Sequence, residues 1–210
     1  MNHVVLLGDS IFDNAAYVPE GAAVILHLQA ELGKSWKATS LAEDGSVTRE
    51  VVDQLEGLPD DATHLVISAG GNDALQQARV LYEGAESVAG VLHRMSGIAE
   101  AFERDYRHML AAAISHQRPT VLCTIYYPSF NEPGVQRASV AALTVFNDCI
   151  VRAAAGHGFP LLDLRFICND RRDYVHEIEP SDSGGLKIAR AIKRLLTTHD
   201  FRVGRAMIYV

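Results

Sequence analysis

Short apolar runs bounded by turn residues alternate along this chain with longer stretches in which apolar residues return every three or four positions. A strand buried on both faces reads as a continuous apolar run, and a helix covering a sheet shows one apolar stripe. The alternation therefore predicts parallel strands joined by crossover helices. The strands fall at His3–Leu7, Lys37–Leu41, His64–Ser68, Thr120–Ile125 and Pro160–Leu164. The helical period covers Ala22–Leu32, stopped by Gly33, then Ser46–Leu55, Ser87–Ser115 and Ala138–Ala155. A last helix is capped by Ser181 or Asp182 and runs to Leu196. The expected fold is one α/β domain over residues 1–210, three layers of α/β/α around a five-stranded parallel sheet. The closing FRVGRAMIYV is apolar and β-prone; it adds an edge strand or packs on a partner subunit, which makes it the candidate contact of an oligomer.

Composition narrows the partners. A chain of 210 residues is long enough for one sizeable core. Its formal net charge of −7 lacks the clustered Lys and Arg that grip nucleic acid or an anionic membrane, so no nucleic-acid partner is expected. Cys123, Cys149 and Cys168 have no CxxC spacing and read as buried free thiols in a reducing compartment. The nine His include no HExxH pair, and neither a metal nor another cofactor is implied. The apolar run Val4–Leu7 follows no basic segment and is too short for a signal core or a membrane span, so the chain as given reads as cytoplasmic.

In a parallel α/β sheet, ligands collect beyond the carboxyl ends of the strands, where loops are free and helix N-termini point positive. Gly8-Asp9-Ser10 follows the first strand, Asp44-Gly45 the second and Gly70-Gly71-Asn72-Asp73 the third, so three polar loops share one edge. A serine hydroxyl becomes a nucleophile when a base takes its proton, and the tetrahedral intermediate needs donors aimed at its new oxyanion. Glycine lets a backbone N–H approach such an anion, and an Asn amide adds another donor. Singly, Ser10 reads as a helix cap, Gly45 as a turn and Asn72 as a turn-closing amide. Their convergence on one edge favours a shared site.

The blocks LLGDSI, EDGSVT and SAGGND resemble, in order and spacing, those of the GDSL/SGNH hydrolases, and the similarity extends from residue 4 to about residue 195. The resemblance implies a flavodoxin-like fold and hydrolysis of a small-molecule carboxylic ester. Ser10 is then the nucleophile, the N–H groups of Ser10 and Gly45 and the Asn72 amide are oxyanion donors, and Asp9 holds the nucleophile loop. Thioesters and acetylated carbohydrates are alternative substrates within the family. Tyr126 and Tyr127, after the fourth strand, line the site or pack beneath a loop.

The family's last block reads D-x-x-H-P, then a glycine, then an amphipathic helix, and here two alignments compete. In Asp173-Tyr174-Val175-His176 the spacing is right for His176 as base, with Asp173 accepting from its ring and fixing the tautomer. Counted back from Pro180, Gly184 and the helix, however, Glu179 stands in the His position and His176 in the Asp position. A carboxylate near pKa 4.3 is a poor base for a serine unless burial raises it by roughly two units. Chemistry thus favours His176, with Glu179 as its rival, and a Glu179 site is expected to be slow, specialised or a silent binding site. Glu179 as a plain helix-end carboxylate is the blander possibility.

Overall fold

The structure is a computed structural model that describes residues 1–210. In chain order it runs β1 (Asn2–Gly8), α1 (Val24–Leu32), β2 (Trp36–Ser40), α2 (Val51–Glu56), β3 (His64–Ser68), α3 (Gly71–Gln76), α4 (Val88–Ser115) and β4 (Thr120–Cys123). It continues through α5 (Pro133–His157), β5 (Leu161–Leu162), α6 (Leu164–Ile167), β6 (Tyr174–Val175), β7 (Glu179–Pro180), α7 (Asp182–Thr198) and β8 (Ile208–Tyr209). The main sheet has the order β2-β1-β3-β4-β5-β8 with every pair parallel, and helices cover both faces. Alternation along β1 divides the core. Val4 and Leu6 pack with Leu28 of α1 and Ile188 and Ile192 of α7. Val5 and Leu7 face the other way, onto Leu55 of α2, Tyr106 and Met109 of α4 and Ile150 of α5.

The sheet has six strands rather than five, because the C-terminal segment closes it: Ile208 and Tyr209 pair with Leu161 and Leu162. The fourth and fifth strands are shorter than expected. Thr124 N–H still donates to the Leu162 carbonyl, but from Ile125 on side chains replace the ladder: the Asn147 amide accepts from Ile125 N–H and donates to its carbonyl, and Thr124 Oγ1 donates to Asp163. Helix α5 begins five residues early, since Pro133 is tolerated in a first turn and the Glu132 carboxylate caps Gly134 and Val135. Ser87 and Ser181 cap α4 and α7 by accepting from Gly90 and Gly184. All three cysteines are free and buried.

After β1 the chain winds outward to β2 and then returns to β3 on the other side of β1. The carboxyl ends of β1 and β3 therefore flank the crevice where winding reverses, the place at which such sheets bind ligands. Facing it is a separate antiparallel hairpin, β6 paired with β7, with Tyr174 opposite Pro180 and Val175 opposite Glu179. The hairpin is held by α7. Ser181 N–H donates to the Asp173 carbonyl at 2.9 Å, and Gly184 lies so close that a Cβ there would sit 2.1 Å from the same carbonyl oxygen.

Backbone cannot yield as a flexible side chain can, so Gly184→Ala is expected to lower the free energy of unfolding by more than about 2 kcal/mol. Gly97→Ala, in the middle of α4 with open space around it, should raise it by about 0.5–1 kcal/mol. Denaturant unfolding of both variants checks the pair; equal effects would remove the close approach as the constraint.

Candidate active site

The Ser10 loop is fixed at the end of β1. Gly8 has φ +133°, and a Cβ on it would lie 1.7 Å from the Ser68 carbonyl oxygen, so only glycine lets β1 and β3 meet here. The buried Gln54 amide grips both backbone groups of Gly8, accepting from its N–H and donating to its carbonyl at 2.8 Å each, and it also reaches Ser46 Oγ at 3.3 Å. Asp9 accepts the Ile11 N–H at 3.1 Å, and its carbonyl accepts from Phe12 and Asp13, turning the chain just past Ser10.

Side chains cross-link the other two loops to this one. Asp13 accepts the Asp44 N–H at 3.0 Å, and Asp73 accepts both the N–H and the hydroxyl of Thr48 at 2.9 Å. Asn72 donates one amide hydrogen to the Ser46 carbonyl at 3.0 Å, leaving the other free, and Ser10 and Asn72 line one cavity. Gly45 is exposed with φ +83°, and its N–H, like that of Ser10, donates to no group in the chain. The three donors anticipated for an oxyanion are thus uncommitted, although Gly45 itself is not part of the cavity wall.

The residue brought to Ser10 is the one given by the helix-anchored alignment, Glu179. Glu179 lines the cavity with Ser10, whose hydroxyl lies beside its carboxylate short of an aligned hydrogen bond, and Glu179 Oε2 is buried with no partner. His176 is not brought to Ser10. Together with Glu177 it forms the tip of the hairpin at φ +52° and +72°, a tight turn that turns His176 outward to an exposed position. There it borders a separate polar depression with Ser129, Asn131 and Arg171. Nor does Asp173 orient it: that buried carboxylate accepts from Asn169 N–H, Asp170 N–H and Lys187 Nζ, at 3.0, 2.9 and 2.7 Å.

Tyr126 does line the cavity, and its hydroxyl donates to the Ile178 carbonyl, steadying the approach to Glu179. Tyr127 does not; successive residues of an extended segment point to opposite sides, and Tyr127 turns to Arg165. Two residues not singled out from the sequence prove to be positioning residues. Gln54 stood out in principle as a polar residue on the apolar stripe of Val51 and Leu55. Asn14 carried no such signal. Fully buried, it donates to the Pro180 carbonyl at 3.1 Å and accepts from Val24 N–H at 2.9 Å, tying the nucleophile turn to the strand that bears Glu179.

A serine at the switch point of a parallel sheet, flanked by spare amide donors and beside a buried acid, has the layout of a serine hydrolase built on an α/β/α sandwich. The sequence signature of the GDSL-like lipase/acylhydrolase family matches residues 6–184, and the chain belongs to that family. At family level it is an ester hydrolase. Among solved structures of this fold is a lipolytic protein of the G-D-S-L family from Veillonella parvula, with a TM-score of 0.70 and 17% identity over 95% of this chain and 100% of that one. Phospholipase A1 from Streptomyces albidoflavus has a TM-score of 0.63 and 18% identity over 91% of this chain and 99% of its own. An acetyl xylan esterase, AlAXEase, has 0.62 and 17% over 94% and 100%. No curated protein sequence matches the chain.

The cavity wall holds acids but no Lys, Arg or His. Burial pushes the Asp9 carboxyl up to about 7 against the Ile11 N–H that favours its charge, and the negative Glu179 and Asp73 add to the rise. Glu179 is raised too, by burial first, while the Ser10 hydroxyl draws it back and Asp44 adds a smaller push. An acid raised in this way stabilises the fold fully below its unfolded pKa of about 4, and that contribution is lost as pH rises through the folded value. For Asp9, thermal stability is therefore expected to fall between about pH 4 and 7, by on the order of a few kcal/mol. Asp9→Asn keeps an acceptor for Ile11 and should flatten the profile; melting temperatures across this range check it, and an unchanged slope would exclude Asp9 as its origin.

Proposed function

We propose that the chain hydrolyses carboxylic esters through an acyl-enzyme at Ser10, with Glu179 as the general base. The observation that carries the proposal is a buried carboxylate beside the serine hydroxyl; the cavity's other carboxylate, Asp9, is engaged by the Ile11 N–H in holding the loop. Ser10 Oγ attacks the carbonyl carbon while its proton passes to Glu179, and the oxyanion takes the free N–H groups of Ser10 and Gly45 and the second amide hydrogen of Asn72. Collapse of the intermediate expels the alkoxide, which leaves as the alcohol with the proton from Glu179. A water then attacks the acyl-enzyme, gives its proton to the regenerated carboxylate, and the acid is released with Ser10 restored.

Burial supports this role, because raising the Glu179 pKa narrows its distance from a serine hydroxyl and makes it a stronger base than an exposed glutamate. Only the ionised form can accept the proton, so activity should disappear as pH falls through the raised value. A carboxylate still gives less driving force than imidazole, and a slow enzyme is expected.

Fluorophosphonate labelling and hydrolysis of short p-nitrophenyl esters test the assignment. Ser10→Ala should abolish both. Glu179→Gln should lower kcat by about 10²–10⁴, the usual contribution of a general base, while His176→Ala stays within about twofold. A loss at His176 matching that at Glu179 would sink the role given to Glu179; wild-type protein that neither labels nor turns over would sink the enzyme in favour of a binding function.

A further inference from the structure

The cavity that begins at Ser10 extends well beyond the reacting atoms. It encloses about 180 Å³, and 18 of its 27 lining residues are apolar. Its far wall comes from two long helices, with Met95 and Ile98 on α4 and Leu143 and Phe146 on α5. This accounts for a peculiarity of α5, which is apolar enough over its length to pass as a membrane span. One face of α5 serves both: Val135, Ala142 and Leu143 in its N-terminal half line the cavity, Phe146 touches cavity and core, and Cys149 and Ile150 continue into the core. The wall is also firm, because Phe146 packs edge-on against Phe102 with ring centroids 5.0 Å apart.

The wall's chemistry selects among occupants. A phosphorylated or carboxylate ligand would need a cation, and no Lys, Arg or His lines the cavity. A sugar would need a dense set of donors and acceptors, and a mostly hydrocarbon wall leaves its hydroxyls unpaired. A linear hydrocarbon chain needs neither. The kinetics of a serine ester hydrolase decide which half of the ester it belongs to: the alcohol must leave before water attacks, whereas the acyl group stays attached to Ser10. A deep apolar slot retains the acyl part without obstructing the departing alcohol.

We infer that this cavity is an acyl-chain site limited to medium length, roughly six to eight carbons, since a protein cavity of about 150 Å³ is filled by one benzene molecule. Leu143 and Ile98 are the residues that set the limit. The assignment to the acyl half rests on the ester-hydrolase proposal above; the chain-length limit itself does not.

Two measurements test it. Calorimetric titration of the wild-type protein with n-alkan-2-ones, which carry the chain and a carbonyl but no cleavable ester, should show affinity rising about fourfold per methylene and levelling off near eight carbons. Affinity that is flat from four to eight carbons, or that climbs without a break to sixteen, overturns the limit. In the second, kcat/KM for ethyl esters of graded acids should peak at the same length, while acetates of graded alcohols show no peak; a peak in the alcohol series overturns the acyl assignment. Leu143→Trp should move the titration break to shorter chains, and Ala142→Phe serves the same purpose should the tryptophan variant not fold; a break that stays put in a folded variant removes the helix wall as its cause. A break without fluorophosphonate labelling keeps the chain site and removes the enzyme, and labelling without a break does the reverse.

Discussion

The constraint on which the site depends is backbone against backbone, where the first turn of α7 meets the carbonyl of Asp173 through Gly184. A contact with no side chain between two main chains cannot slide, because any shift drives atoms into overlap or opens a gap that nothing fills. The hairpin is thereby measured from the helix, and Glu179, two residues before the Ser181 cap, faces Ser10. The residues before it must make their turn within the length that remains. They do so by placing His176 and Glu177 in the left-handed region, a conformation that disfavours residues other than glycine by about 1–2 kcal/mol each.

Around that fixed point, polar side chains rather than hydrophobic packing set the geometry of the site. Gln54 holds the end of β1, Asp73 joins the third loop to the second, and Asn14 joins the nucleophile turn to β7. Buried polar groups left without partners are costly, so a network in which each member is satisfied has one low-energy arrangement and resists distortion. Glu179 Oε2 is the atom in this region that the network leaves out. An acceptor kept buried without a partner is a feature that folding alone gives no reason to retain, and the carboxylate that carries it lies beside the Ser10 hydroxyl.

Most of the fold was legible because it is written in periodicity. Every predicted strand and helix has a counterpart, and the misjudged boundaries lie where side chains replace backbone partners, as Asn147 does beyond β4 and Glu132 before α5. The sixth strand is two residues long and pairs along one edge, too little pattern to separate from a loosely packed tail. Within the site, the three loops were readable from glycine and polar residues following strands. The partner of Ser10 was legible only as a choice of two, because DYVH satisfies a local spacing rule while counting back from Gly184 and the helix gives Glu179. Local spacing shows that a dyad can form; the packing of Gly184 against Asp173 brings Glu179 rather than His176 to Ser10.

If Glu179 receives the serine proton, the apolar cavity and the weak base belong to one mechanism. A carboxylate exposed to water is a poor acceptor for a hydroxyl proton, and the strength it has here comes chiefly from burial. Glu179 lines the cavity with 7% of its surface accessible. A hydrocarbon chain that fills the slot removes the remaining water and offers no dipole in exchange, so it disfavours the ionised carboxylate further and raises its proton affinity. A chain too short to fill the cavity leaves water beside Glu179 and a weaker base. Selectivity for length would then appear in the chemical step as well as in binding, which an imidazole, already basic near neutral pH, would not require.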